Sequence, residues 1–250
     1  MIKSTDDIRE MKSVDPVAML TVYNYPTAMA LDRCGLDILF VGDSLAQTEL
    51  GLASTADIGL DQMIHHLGAV ARGVEQTHLL ADLPFGSYDS PGDAYEGSSR
   101  LIEGGALSVK LEGPRYKVVE HLVGKGVAVM GHVGLLPQTA KRYRRQGTKT
   151  ESAARILEQA RSLEASGCYA LVMEYVSHET ARLITESIGI PTIGIGAGPH
   201  CDGQVLVISD MLGQYESLPS FARKYANLYE TTTSAARQYR EEVKSRTFPG

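Results

Sequence analysis

At 250 residues the chain has the length of one eight-fold α/β barrel, although two smaller domains would also fit, and it can bury a sizeable core. A formal net charge of −6 excludes a basic face for nucleic acid phosphates or anionic lipid, so small molecules are the expected partners. No apolar run is long enough to cross a bilayer, and the opening segment, charged from Lys3, lacks the apolar core of a signal peptide.

The three cysteines, Cys34, Cys168 and Cys201, are widely spaced and form no C-x-x-C pair. They read as reduced thiols, which fits a cytoplasmic protein. With no low-complexity stretch or linker, residues 1–250 are expected to form a single domain.

Taken in chain order, short runs rich in branched apolar residues predict strands over 18–21, 38–42, 79–83, 108–112, 127–131, 170–174, 192–196 and 204–208. Their unbroken hydrophobicity is that of strands covered on both faces. Helical patterns lie between them. Residues 60–74 place Met63, Leu67, Val70, Ala71 and Val74 on one face, and 151–166 repeat Ala154, Leu157, Ala160 and Leu163. Residues 90–104 open on Ser-Pro and stop at Gly104-Gly105, and 178–188 close at Gly189 before Pro191. Eight strand–helix alternations predict an α/β fold, a parallel eight-stranded (β/α)₈ TIM barrel. An open doubly wound sheet is the alternative, but G-x-G-x-x-G is missing after the first strand. Two additional C-terminal helices are expected at about 219–243, over 219–229 and 233–243.

Barrel enzymes carry their chemistry at the C-terminal ends of the strands. Here those ends read Gly42-Asp43-Ser44, Ala81-Asp82-Leu83, Lys110-Leu111-Glu112, Gly131-His132 and Met173-Glu174. Singly, each residue could be a helix cap, a turn residue or a satisfied interior histidine. Together, at five successive strand ends, they predict one rim holding four carboxylates, Lys110 and His132. Clustered carboxylates repel and resist burial unless a cation or protons compensate. Asp43, Asp82 and Glu112 offer only oxygen, which suits Mg²⁺ better than Zn²⁺. His65-His66, inside a predicted helix, reads as structural. Gly194-Ile195-Gly196-Ala197-Gly198-Pro199 reads either as an anion cradle or as a tight turn.

Six segments in order carry a resemblance. They are Leu20-Thr21-Val22-Tyr23-Asn24-Tyr25-Pro26, Val41-Gly42-Asp43-Ser44-Leu45, Ala81-Asp82-Leu83-Pro84-Phe85, Val109-Lys110-Leu111-Glu112-Gly113, Gly131-His132-Val133-Gly134-Leu135 and Ile193-Gly194-Ile195-Gly196-Ala197-Gly198. The chain resembles the ketopantoate (3-methyl-2-oxobutanoate) hydroxymethyltransferase family along almost its whole length. The resemblance implies a (β/α)₈ barrel, Mg²⁺, and 5,10-methylenetetrahydrofolate as one-carbon donor to a branched 2-oxo acid, an early step towards pantothenate. Carried over by motif, it implies that Asp43, Asp82 and Glu112 ligand or flank the metal, that Ser44 and Lys110 hold the oxo acid together with Asp43 and Asp82, and that Glu174 is the catalytic base. His132 falls on the rim without an assigned role. The family forms large homo-oligomers, typically decamers.

Some positions depart from the family's usual pattern. Asn24 stands where Asp is usual, Ala46-Gln47-Thr48-Glu49 replaces a more apolar strip, and the stretch after Pro137-Gln138 is shorter. Tyr175-Val176-Ser177 follows Glu174 in place of Cys-Val-Pro. A relative hydroxymethylating a different 2-oxo acid is therefore one alternative. A magnesium-enolate lyase or mutase of the phosphoenolpyruvate mutase and isocitrate lyase type is a second, although no Lys-Cys-Gly-His run occurs. A non-catalytic barrel is a third, and it gives no reason to keep costly acidic groups together.

Overall fold

The apolar runs become eight parallel strands that close into a barrel in sequence order. They are β1 (Val17–Thr21), β2 (Ile38–Val41), β3 (His78–Asp82), β4 (Ser108–Lys110), β5 (Val129–Gly134), β6 (Ala170–Glu174), β7 (Thr192–Ile195) and β8 (Gly203–Leu206). The helices are α1 (Thr5–Glu10), α2 (Tyr25–Leu31), α3 (Leu45–Thr48), α4 (Leu60–Ala71), α5 (Pro91–Glu103), α6 (Tyr116–Gly124), α7 (Thr150–Ala165), α8 (His178–Ser187), α9 (Ile208–Leu212) and α10 (Leu228–Ser245). This computed structural model describes residues 2–250, and the chain divides between Val205 and Leu206 into two compact units.

Inward-facing positions alternate along each strand. Ile38 and Phe40, Leu80, Met130, Ala170 and Val172, and Ile193 fill the barrel interior, and Ile8 and Met11 of the α1 region join the same buried cluster. Stepping two residues along from Leu80, Met130 and Val172 reaches Asp82, His132 and Glu174. The same inward parity that fills the core therefore aims the polar residues at its C-terminal mouth. At the opposite end, the His78 ring bonds Ser108 Oγ at 2.7 Å, and Ser108 Oγ lies 2.9 Å from the Tyr169 hydroxyl. A buried polar chain thus replaces apolar packing there.

Local signals start and stop the helices. Ser90 caps α5 by accepting from the Asp93 amide, with Pro91 at the first turn. Asn24 caps α2 by accepting from the Thr27 amide at 3.0 Å, so the departure from Asp keeps the capping oxygen. In α7 the buried line is Ile156, Ala160 and Leu163, with Ala154 outside it. The seam between β7 and β8 is tied by Asp202, which accepts from the Thr192 amide at 2.8 Å and from Lys12 Nζ at 2.8 Å.

One glycine is required by contact. Gly134 ends β5 at φ +101°, and a Cβ there would lie 2.3 Å from the Glu174 carbonyl oxygen and 2.6 Å from Val176. Gly134→Ala is expected to lose about 2–4 kcal/mol, from left-handed strain plus overpacking, as read by urea denaturation. It also pushes on the strand that carries Glu174.

The unit from Leu206 onward corrects one expectation. Residues 219–227 do not form a helix, and Leu228, Tyr229 and 233–243 belong to the longer α10. The amide of Tyr225 bonds Met211 O at 2.8 Å and that of Tyr229 bonds Gly213 O at 2.9 Å. With its amide committed to α9, Tyr225 cannot pair four positions back, and the Tyr229 amide, in the first turn of α10, is met by the left-handed Gly213 cap. No residue of α10 is buried.

Candidate active site

Five consecutive strands deliver the polar rim. Asp82 ends β3 in register with Lys110, the last residue of β4. Glu174 ends β6 opposite Gly134, and His132 pairs in register with Val172. Several strand ends differ from expectation, and two of the differences bear on the rim: β4 stops at Lys110, so Glu112 lies beyond it, and β5 runs on to Gly134, so His132 sits within the strand. Asp43 and Ser44 lie in the turn between β2 and α3.

The structure joins Asp43, Asp82, Lys110 and Glu112 in one hydrogen-bonded and ion-paired set through Gln138, with His132 and Glu174 close beside it. Lys110 Nζ lies 2.7 Å from Asp82 Oδ1, with both side chains almost fully buried. The Phe40 ring supports the ammonium 5.4 Å from its centroid. Asp82 Oδ2 accepts the Asp43 amide at 3.0 Å. Gln138 donates its side-chain N–H to Asp43 Oδ2 at 2.7 Å and its backbone N–H to Glu112 Oε2 at 3.2 Å. His132 lies between two carboxylates, with Nδ1 3.8 Å from Glu112 and Nε2 3.5 Å from Glu174. Ser44 stands beside the set, its hydroxyl 2.7 Å from that of buried Tyr23.

Four carboxylates share this rim with one ammonium. Burial pushes Asp43 up to about 7, and neighbouring Asp82 adds to the shift. Burial lifts Glu112 to about 9, with Lys110 opposing and Asp43 reinforcing it. Glu174 is raised to about 8 for the same first reason, although its side chain keeps 19 % exposure. Burial alone would lower Lys110, but Asp82, Glu112 and Asp43 outweigh it and hold the ammonium protonated. His132 is held well below its ordinary value by burial and then by Lys110, so its ring is neutral.

The donor chemistry fits a hard divalent cation. Asp43, Asp82 and Glu112 are oxygen donors on neighbouring strand ends, and their raised values register a local shortage of positive charge. Among the described residues no three acidic, histidine or cysteine side chains already enclose a common point. Asp82 is turned towards Lys110 and Asp43 towards Gln138, so holding a cation requires these carboxylates to reorient. Both buried nitrogens of His132 lack a hydrogen-bond partner, which leaves polar capacity facing the rim.

The departures beside the rim are connected to one another. Tyr175, directly after Glu174, adopts a left-handed φ of +50°. Arg145, from the shortened stretch, lies over the Tyr175 ring at 4.8 Å and donates to Val176 O and Gly196 O, both at 3.2 Å. Gln47 is exposed and donates to Ala53 O at 3.1 Å, and Glu49 is exposed. His66 lies in α4 and bonds Tyr23 O at 2.8 Å. Gly198, at φ +87°, leaves room for the His178 ring, which a Cβ would meet at 2.6 Å. That contact accounts for this glycine as a packing requirement.

Two rim residues were not foreseen, Gln138 and Tyr88. Both are buried polar side chains in loops, where no periodicity marks them. The Pro137-Gln138 pair stood out in the sequence only as the start of the shortened stretch.

Comparison with known proteins gives the family of the chain. The sequence pattern of the ketopantoate hydroxymethyltransferase family matches residues 3–250. A 3-methyl-2-oxobutanoate hydroxymethyltransferase of Pyrococcus furiosus is 47% identical over 249 residues, covering 97% of this chain and 88% of the relative. The enzyme of the same name from a Cyanothece species is 47% identical over 242 residues, covering 94% and 93%. Among solved structures, the phosphoenolpyruvate phosphomutase of Streptomyces platensis aligns with a TM-score of 0.66 over 97% of this chain and 88% of that one, at 13% identity. A phosphonopyruvate hydrolase complexed with oxalate and Mg²⁺ also aligns at 0.66, at 10% identity over 98% and 88%. These two likenesses show a shared fold alone, whereas the full-length identity of nearly one residue in two is a family relationship, and the chain belongs to the ketopantoate hydroxymethyltransferase family.

Proposed function

We propose that the protein transfers a one-carbon unit from 5,10-methylenetetrahydrofolate to 3-methyl-2-oxobutanoate, giving 2-dehydropantoate, with Mg²⁺ held by Asp43, Asp82 and Glu112. The observation that carries this reading is the division of labour on the rim. Three carboxylates gather with Lys110, while Glu174 stands across His132 from Glu112 with its value raised towards neutrality.

The C3 proton of a 2-oxo acid is weakly acidic, so its removal needs a positioned base and stabilisation of the charge that forms. When bound, Mg²⁺ supplies Lewis-acid stabilisation of that charge. Lys110 and Ser44 hold the substrate carboxylate, and the buried ammonium also offsets its charge. Glu174 accepts the proton from C3. A base titrating near 8 is strong enough to take the proton and is ionised in useful fraction at neutral pH. The C3 carbon then bonds to the methylene carbon of the folate, and one water is consumed as that carbon leaves nitrogen as a hydroxymethyl group. Neutral His132 can donate or accept one hydrogen bond at the substrate without adding charge.

Assembly into a homo-oligomer is part of the proposal. It is supported by α10, which leaves Leu228, Tyr229, Tyr239 and Val243 exposed. Among the described residues no helix is long and apolar enough to cross a membrane, and the three cysteines are unpaired, which supports a cytoplasmic enzyme.

A second reading rests on Arg145 and Tyr175. Tyr175, the first residue of the departure beside Glu174, carries the Arg145 guanidinium over its ring, so the accepted 2-oxo acid could be a different one. The experiment is proton exchange at C3 in D₂O, followed by NMR with Mg²⁺ and without folate, across a panel of 2-oxo acids. Magnesium-dependent exchange with 3-methyl-2-oxobutanoate as the best substrate is the expected result. Preference for a longer acid selects the second reading, and no exchange with any acid sinks both.

A further inference from the structure

The rim carboxylates are surrounded by a hydrogen-bond framework that the proposed chemistry does not itself require. Gln138 is 6 % exposed and lies in the loop beyond β5. None of its polar groups needs solvent. One side-chain N–H goes to Asp43 Oδ2 at 2.7 Å, and the nitrogen also lies 3.4 Å from Leu83 O. Its carbonyl Oε1 accepts the Tyr88 hydroxyl, and its backbone N–H goes to Glu112 Oε2 at 3.2 Å. Gln138 therefore touches the ends of β2, β3 and β4, the three strands that supply Asp43, Asp82 and Glu112.

A buried primary amide can be turned over, exchanging its N–H₂ and C=O. In the wrong orientation Oε1 would face the Asp43 carboxylate, acceptor against acceptor. Tyr88 prevents this. It is 3 % exposed, its ring lies 5.6 Å from the Arg115 guanidinium, and its hydroxyl donates to Gln138 Oε1. The amide nitrogen is then committed to Asp43.

We propose that Gln138, with its amide orientation set by Tyr88, is a positioning residue that fixes Asp43 and Glu112 in the geometry needed to hold the divalent cation. The inference rests on the metal reading given above, and it assigns no contact between either residue and substrate. Tyr88 acts on Asp43 only through Gln138, so the two residues form a series. Groups of this kind around metal ligands change metal affinity or activity by about 10- to 100-fold when removed.

The test is calorimetric titration of Mg²⁺ into the wild type, Tyr88→Phe, Gln138→Leu and the double variant. Melting temperatures in EDTA and steady-state kinetics at saturating Mg²⁺ accompany it. The dissociation constant for Mg²⁺ is expected to rise about 10- to 100-fold in Gln138→Leu and by less in Tyr88→Phe. The double variant is expected to match Gln138→Leu, because the series is already cut. At saturating Mg²⁺ the KM for the oxo acid stays near the wild-type value, a split that simple loss of folded protein would not give. Unchanged Mg²⁺ affinity in Gln138→Leu overturns the inference, as do effects of the two substitutions that multiply. Should Gln138→Leu fail to fold, Tyr88→Phe, which removes a single oxygen, decides by the same criterion of affinity. A wild type that takes up no Mg²⁺ overturns the metal reading itself and this inference with it, whereas tight wild-type binding with unaltered variants overturns the inference alone.

Discussion

Glu174→Gln is expected to reduce magnesium-dependent C3 proton exchange by about a thousandfold, within the range typical of a lost general base. The substitution keeps the size of the side chain and removes its capacity to accept a proton. Because the amide matches the carboxyl in shape and puts no charge into this mostly buried position at the end of β6, folding should be nearly unaffected. In the wild type the exchange rate should rise with pH as Glu174 ionises. Its value near 8 belongs to the cation-free rim, so a bound cation, which favours the ionised form, moves the rising limb below pH 8. The same limb should disappear from any residual exchange in Glu174→Gln. A variant that keeps the wild-type rate and pH profile would move the base elsewhere on the rim, with His132 the next residue to examine.

Lys110→Met should be the most damaging substitution for stability. Removing one partner of a buried ion pair leaves the other uncompensated, which costs about 3–5 kcal/mol. Here the loss also deprives Asp43 and Glu112 of the only ammonium that opposes their upward shifts. The sign of the pH dependence follows. A carboxyl whose folded value lies above its unfolded one binds more protons when folded. Its contribution is therefore fully present below the unfolded value and is lost as pH rises through the folded value. Asp43 and Glu112 have ordinary values of 3.8 and 4.5 and folded values of about 7 and 9, so the cation-free barrel should weaken steadily from about pH 5 to pH 9. The weakening should be steeper in Lys110→Met, and much of the variant's lost stability should return at pH 5.5. Urea denaturation in EDTA at both pH values measures this. A Lys110→Met deficit that is independent of pH would show that the lysine supports the fold by packing alone, over the Phe40 ring.

The strand-borne part of this architecture was legible in the sequence for a definite reason. Parallel strands buried on both faces are continuous apolar runs, and polar residues that interrupt their ends stand out. Asp82, Lys110 and Glu174 were found that way, and the parity that places Leu80 and Val172 inside also places Asp82 and Glu174. Strand ends were less legible. β5 extends past His132 because Gly134 can take a left-handed turn against the Glu174 carbonyl, a contact that only the folded chain supplies. Gln138 and Tyr88 were illegible because a loop residue's partners are set by tertiary structure and leave no local pattern. The expected helix over 219–229 failed as far as residue 227 for a related reason, since Tyr225 gave its amide to α9.

The way Arg145 braces Tyr175 has a consequence for how such a barrel can diversify. Asp82, Lys110 and Glu174 stand on strand ends that the whole core fixes, while the segment around Arg145 is tied beside Glu174 by stacking on Tyr175, by Arg145 bonds to Val176 O and Gly196 O, and by backbone bonds between Gln146 and Tyr175 and Ser177. Backbone acceptors are present whatever the side chains are, so that segment can be shortened, lengthened or rewritten and still find anchorage. The contacts that anchor this segment are thus separate from those that join Lys110, Asp82, Asp43 and Gln138 on the rim.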